Sequence, residues 1–334
     1  MRKRIQYLGL ALLMIQFALQ AQDSTGFSKR ELPLGDEMPV VVVLDSLFDT
    51  DIVTAFENDR GYEGQGYLYR PVSIALDRKN NIYISDLGNF TVTKTENLQG
   101  KGWMYFGHSI NSPKRAEIDF RMPYGIDVSE DGEIAVADWG NNRIVLFGKT
   151  WRSWGEDKPG SGFGRFQSPR DVSFGPDGSI YVIDTGNSRI VRIFPDKPAT
   201  EWEYFGQKGS STGEFVNPQG ITVTGDGRIY IADSGNHRIV RINDMSGRAW
   251  KSMGKPGNKS GDFRNPRMVT EGPDSKIYVA DQGNGRLIRM DDMDGNGWSE
   301  LIIPAKERPP RPHDLAFDKR EGCICCCSGN TKPS

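Results

Sequence analysis

Six prolines in this chain are each followed, fifteen residues later, by a residue in an equivalent position: Pro71/Asp86, Pro123/Asp138, Pro169/Asp184, Pro218/Asp233, Pro266/Asp281 and Pro312/Cys327. The step from one of these prolines to the next varies between 46 and 52 residues. Length change is therefore confined to the part of each unit after the turn, while the first two strands and their connection are held fixed. The most regular copy, Pro218 to Ile242, reads P-Q-G-I-T-V-T-G-D-G-R-I-Y-I-A-D-S-G-N-H-R-I-V-R-I. It divides into three short runs rich in Ile, Val and Tyr, separated by the turn signals G-D-G and D-S-G-N. That is a three-stranded antiparallel meander, which alone has open edges and too little to bury. Copies of it must pack on one another. Periods of this length with four short strands each are the mark of propeller blades.

The pattern in Pro218–Ile242, in Pro123–Leu146 and in Pro169–Val191 resembles the NHL-repeat family of β-propellers, with coverage from about residue 40 to the end. The resemblance implies a fold. Family members include binding modules as well as an amidating lyase, so function has to be argued from the site.

Composition agrees with one repetitive domain. The 334 residues exceed the usual size of a single core, a limit that a propeller escapes by adding blades around an axis. The 39 glycines and 19 prolines recur at matching places in the repeats and so read as turn residues rather than as disorder. Trp103, Trp202, Trp250 and Trp298 stand 17 or 18 residues after their Asp, with Trp151 or Trp154 in that role in the second repeat. Such recurrence points to packing between blades. The turn residues Asp86, Asp138, Asp184, Asp233 and Asp281 are expected to be structural, their carboxylates accepting turn N–H groups. An Arg five residues on (Arg143, Arg189, Arg238, Arg286) is placed to pair with four of them.

The ends of the chain carry two further expectations. Residues 1–21, with Arg2, Lys3 and Arg4 before an apolar run from Leu8 to Leu19, have the layout of a secretory signal peptide. Residues 22–37 read as a flexible lead-in, and residues 38–334 as a six-bladed propeller. Pro39 to Phe56 imitates the second half of a repeat, while the last repeat supplies only its first two strands. The expected ring is thus all-β, with its last blade completed by strands from both termini. A secreted or periplasmic location follows, with no membrane span after signal removal. Loss of the three basic residues takes the formal charge from −2 to −5, which argues against nucleic acid as a partner.

Function should sit where the repeats differ. The two residues after each opening Pro are Val72-Ser73, Tyr124-Gly125, Arg170-Asp171, Gln219-Gly220, Arg267-Met268 and His313-Asp314. In a propeller these lie around the mouth of the central channel. Tyr124, Arg170, Asp171, Gln219, Arg267, His313 and Asp314 are accordingly the candidate ligand-binding residues, against the simpler reading that they line a solvated channel. With Arg170 and Arg267 two blades apart, the mouth favours a small anion such as a carboxylated sugar or an acidic peptide end.

Catalytic signatures are few. There is no nucleophile elbow, phosphate loop or Cys/His zinc spacing, and the only histidines are His108, His237 and His313. His313 and Asp314 are adjacent on a strand and so point to opposite faces. No cofactor is expected. The alternative is a metal-dependent propeller enzyme, amidating-lyase-like with zinc or lactonase-like with calcium in the channel, to which Asp171, Asp314 and Gln219 could contribute oxygens. Cys323, Cys325, Cys326 and Cys327 fall in one expected strand, which excludes a conventional disulfide framework. They are read as small buried hydrophobes in an eroded blade, with a metal or redox cluster and intermolecular bridges as alternatives. The reading reached is a non-catalytic ligand-binding or protein-interaction propeller.

Overall fold

The computed structural model describes residues 41–45, 68, 70–96, 102–107, 119–156, 158–302, 311–317 and 323–328, the backbone alone for 41–45, 302 and 323–328. The expected signal peptide and lead-in lie outside these residues. The N-terminal strand β1 is Val41–Asp45. Blade 1 comprises β2 (Pro71–Leu76), β3 (Ile82–Asp86), β4 (Thr91–Thr95) and β5 (Met104–Gly107). Blade 2 comprises β6 (Pro123–Val128), β7 (Ile134–Asp138), β8 (Arg143–Phe147) and β9 (Arg152–Gly155). Blade 3 comprises β10 (Pro169–Phe174), β11 (Ile180–Asp184), β12 (Arg189–Ile193) and β13 (Glu203–Phe205). The short pair β14 (Gln207–Lys208) and β15 (Glu214–Phe215) belongs to the connection that follows. Blade 4 comprises β16 (Gly220–Val223), β17 (Ile229–Asp233), β18 (Arg238–Ile242) and β19 (Lys251–Met253). Blade 5 comprises β20 (Met268–Glu271), β21 (Ile277–Asp281), β22 (Arg286–Met290) and β23 (Ser299–Ile302). The last strands are β24 (Arg311–Phe317) and β25 (Cys323–Ser328).

Each of the five blades is an antiparallel meander in chain order. The constant fifteen-residue interval is the closing pair of its first hairpin: Pro71 faces Asp86, Pro123 faces Asp138, Pro169 faces Asp184 and Pro312 faces Cys327. The second strand of each blade is buried along its whole length, because it has a sheet neighbour on both sides and a blade on both faces. Blades pack through mixed clusters. Ala137, Ile144 and Leu146 of blade 2 meet Val172, Val182 and Trp202 of blade 3, and Trp154 meets Trp202 edge-on with ring centroids 6.2 Å apart. Trp250 and Trp298 lie tilted against Phe215 and Phe263, with ring centroids 5.5 and 5.4 Å apart. In blade 2 the packing role falls to Trp154, since Trp151 is 53% exposed.

The expected count of six four-stranded blades is corrected to five. The remaining sheet has three strands in the order β1-β25-β24, and β1 runs parallel to β25, Val41 opposite Cys323 and Asp45 opposite Cys327. A hairpin imposes antiparallel order on consecutive strands, and no hairpin links β1 to β25. The second N-terminal strand expected before Phe56 lies outside the described residues, so a last blade completed to four strands is not what the described sheet forms. The four cysteines do occupy one strand, as their spacing suggested.

The repeated turn differs from expectation in which groups it joins. Asp233 is fully buried; its Oδ1 accepts the Val216 N–H at 2.8 Å, and its Oδ2 accepts from Asn236 Nδ2 and Arg238 Nε at 2.8 Å. Asp138, Asp184 and Asp281 repeat the set with Arg121, Gln167 and Arg264 as backbone donors. The carboxylate thus ties the turn to the linker that enters the blade, and from the turn itself takes the Asn side-chain N–H rather than a backbone one. Each Arg also reaches linker carbonyls, as Arg238 does at Ser210 and Glu214. The left-handed residue is the one after the turn Asn, namely Asn142, Ser188, His237 and Gly285, with φ between 50° and 66°. His237 Nδ1 there accepts the Asn265 N–H at 3.0 Å, so this histidine braces the next linker.

Candidate functional site

The inner strands generate the site through a break in their ladders. Register shifts fall between Pro71 and Ser73, Pro123 and Ile126, Pro169 and Asp171, and Pro312 and Asp314. A bulge re-aims the residue it frees, here Tyr124, Arg170 and His313. In blades 4 and 5 the ladder begins one residue after Gln219 and Arg267. The freed side chains meet. Arg267 donates through Nη2 to the Tyr124 hydroxyl oxygen, and Arg170 donates through Nη1 to Gln219 Oε1. Both guanidiniums also lie against the Tyr124 ring, 4.4 Å from its centroid for Arg170 and 4.9 Å for Arg267. Tyr124 and Arg267 belong to blades 2 and 5, so this contact crosses the mouth.

The Asp314 carboxyl feels the charge of Arg267 but does not pair with it. Among the described residues the hydrogen-bond acceptors of Arg170 and Arg267 are the neutral Gln219 and Tyr124 oxygens, with no carboxylate in an ion pair to either, and Arg170 Nε is buried without an acceptor. Burial, then the charge of Arg267, lowers the Arg170 guanidinium to about 10, still fully protonated at neutral pH. Burial works to raise the Tyr124 phenol, but Arg267, Arg170 and Arg70 together outweigh it and bring the phenol below its ordinary value. His313 is pushed well below 6.5 by burial and by Arg267, Arg170, Arg311 and Arg70, and is therefore neutral. Arg70 and Arg311 belong to this field and were not singled out from sequence.

Asp171 and Asp314 stand elsewhere. Their side chains face the following blade, where the inner strand presents unpaired backbone donors along its edge. Asp171 Oδ2 accepts the Ile221 N–H at 2.8 Å, and Asp314 Oδ2 accepts Ile74 N–H at 2.9 Å and Ser73 Oγ at 2.5 Å. Asp127, two residues deeper than the expected positions, accepts the Phe174 N–H at 2.8 Å. Ser73 Oγ accepts from Ile126 N, and Ser173 Oγ from Val223 N. These groups fasten blade to blade. The strands lie so close that a Cβ on Gly125 would stand 2.2 Å from Asp171 Oδ1 and 2.5 Å from its Cα. The carboxylates sense one another as well. Burial raises Asp127 and Asp314 to about 6, and burial with the charges of Asp314 and Asp127 raises Asp171 well above the ordinary value. Asp127 was missed because only the first two residues after each Pro were compared; the fourth position (Ala75, Asp127, Ser173, Thr222, Thr270, Ala316) would have shown it.

A metal held by Asp171, Asp314 and Gln219 does not fit this arrangement. Both oxygens of Asp314 accept hydrogen bonds, Asp171 Oδ2 is committed to Ile221, and the Gln219 oxygen faces the Arg170 cation. Among the described residues no three His, Cys, Asp or Glu are grouped to hold a metal ion. Nor is any described helix long and apolar enough to cross a membrane.

Comparison with known proteins bears on the fold. The NHL repeat model matches residues 120–147, 166–193 and 215–242, in blades 2, 3 and 4. A search of curated protein sequences found no match. Among solved structures, a catalytically inactive virginiamycin B lyase from Staphylococcus aureus with quinupristin is similar over 77% of both chains, at 18% identity and a TM-score of 0.53. A streptogramin B lyase matches over 77% of this chain and 90% of its own, at 16% identity and 0.54. A chain of a nidogen/laminin complex matches over 77% and 84%, at 17% identity and 0.54. At these identities the likeness is one of fold. The chain is a β-propeller that carries NHL repeats in its second, third and fourth blades.

Proposed function

We propose that the protein is a non-catalytic binding propeller of the secreted or periplasmic space that takes a small carboxylate at the channel mouth formed by Tyr124, Arg170, Gln219, Arg267 and His313. The observation that carries this reading is the mismatch between charge and partners. Two guanidiniums face each other's field with only neutral oxygens, one phenol and one amide, as acceptors. A bound carboxylate would supply the missing charge and can be gripped by two donors at once. The partly desolvated setting strengthens that attraction relative to water. The fold occurs both in lyases and in a nidogen/laminin complex, so it does not choose between catalysis and binding. What favours binding is that the oxygens a metal-dependent mechanism would need are engaged in holding blades together.

The test is charge selectivity. D-glucuronate is expected to bind the purified protein with an affinity that falls as salt is raised, while the neutral sugar D-glucose does not bind. Equal binding of the two sugars, or failure of the protein to bind either D-glucuronate or a peptide with a free C-terminal carboxylate, overturns the reading.

A further inference from the structure

The contact between Tyr124 and Arg267 has the form of an occupied site. Tyr124 comes from blade 2 and Arg267 from blade 5, so the phenol reaches across the mouth to meet the guanidinium. Arg170, from blade 3, is served in parallel by the Gln219 amide oxygen from the blade after it. The two acceptors are oxygens on different blades, each neutral, each offered to a cation. Arg170 keeps Nε buried with nothing to receive its hydrogen, which marks the set of acceptors as incomplete. A guanidinium holds a carboxylate more strongly than a phenol, because the acceptor is then charged.

We infer that Tyr124 is a place-holder: its hydroxyl occupies at Arg267 the position of a ligand carboxylate oxygen, and binding requires Tyr124 to give up that contact. The inference rests on the carboxylate-binding reading of the mouth and adds that the empty site is self-inhibited. The ligand class follows from what is displaced. It carries a carboxylate, with its anionic oxygens shared between Arg267 and Arg170, and it tolerates the Tyr124 ring beside it. The ring itself stays useful, since Arg170 is stacked on it. Gln219 then sets specificity, because a carboxylate built into the protein at that place would complete the site without a ligand.

Two substitutions separate this from a simple contact role. Binding of D-glucuronate and of N-acetyl-alanylalanine is measured by calorimetry at pH 7 and fixed ionic strength on the parent, Tyr124→Phe and Gln219→Glu proteins. Tyr124→Phe keeps the ring under Arg170 and removes the competing oxygen, so whichever acid binds the parent should bind this variant about three- to tenfold tighter. Gln219→Glu should weaken it at least about tenfold while raising the melting temperature, as an internal carboxylate meets Arg170. Unchanged or weaker binding by Tyr124→Phe, with the parent still binding, overturns the place-holder and leaves the carboxylate site standing. No binding of either acid by the parent or by Tyr124→Phe overturns both.

Discussion

The Asp233 carboxylate accepts the backbone N–H of Val216 at 2.8 Å, from a residue seventeen positions earlier that lies in the linker entering the blade. The same oxygen-to-linker bond recurs at 2.8, 2.7 and 2.7 Å in blades 2, 3 and 5. One buried side chain therefore fixes the end of the first hairpin, the turn after it and the connection from the previous blade.

Replacing Asp233 by Ala leaves the Val216 N–H without its acceptor and the Arg238 side chain, 13% exposed, without its counter-charge. Removing one partner of a buried ion pair costs about 3–5 kcal/mol. Denaturant melts of Asp233→Ala should show a loss of that order with the slope unchanged. A loss under about 1 kcal/mol would mean that the turn is held by its backbone alone.

The axial carboxyls make stability depend on pH in an unusual sense. Asp127 and Asp314 are raised to about 6, and Asp171 is raised well above its ordinary value near 3.8. Such groups contribute stability that is fully present below the unfolded value and lost as pH rises through the folded one. His313, lowered by burial and its arginine neighbours, acts the other way, its contribution being present above about pH 6.5 and lost on acidification. Asp171→Asn keeps an oxygen for the Ile221 N–H and removes the ionisation. Relative to the parent it should gain stability as pH rises from 4 to 8. If the two unfolding curves stay parallel over that range, the cost of ionising Asp171 has been misassigned.

Strand β1 covers one edge of β25 through five paired residues, Val41 to Asp45. Deleting residues 22–45 exposes that edge next to the β24 strand, which carries the Asp314 link to blade 1. Earlier melting and a rise in aggregation on concentration are expected from the open edge. A truncated protein that melts with the parent and stays monomeric would show that the ring does not depend on its N-terminal strand.

Sequence alone reveals those features that depend on local register. The fifteen-residue interval is the length of a hairpin, so its first and last residues face each other, as Pro169 and Asp184 do. The residue after each Pro is likewise legible as a common level in the ring, which brought Tyr124, Arg170, Gln219, Arg267 and His313 together as candidates. What it could not give is reach across the axis. That Tyr124 meets Arg267 of blade 5 as well as Arg170 of the adjacent blade is a contact across the ring, which no spacing encodes. The roles of Asp171 and Asp314 were hidden for a related reason. Two residues in succession on a bulged strand can face the mouth and the next blade, and only the position of that blade decides which oxygen finds the Ile221 or Ile74 N–H. The parallel course of β1 was likewise illegible, because no hairpin links it to β25.

The central claim, a carboxylate held by two guanidiniums at the mouth, is tested most directly by calorimetric titration of D-glucuronate into the parent and the Arg170→Ala/Arg267→Ala double variant. Saturable binding by the parent and at least a hundredfold loss in the double variant is expected, since each charge-assisted hydrogen bond is worth about 1.5–3 kcal/mol, with the melting temperature close to that of the parent. Binding of equal strength by both proteins would contradict the claim.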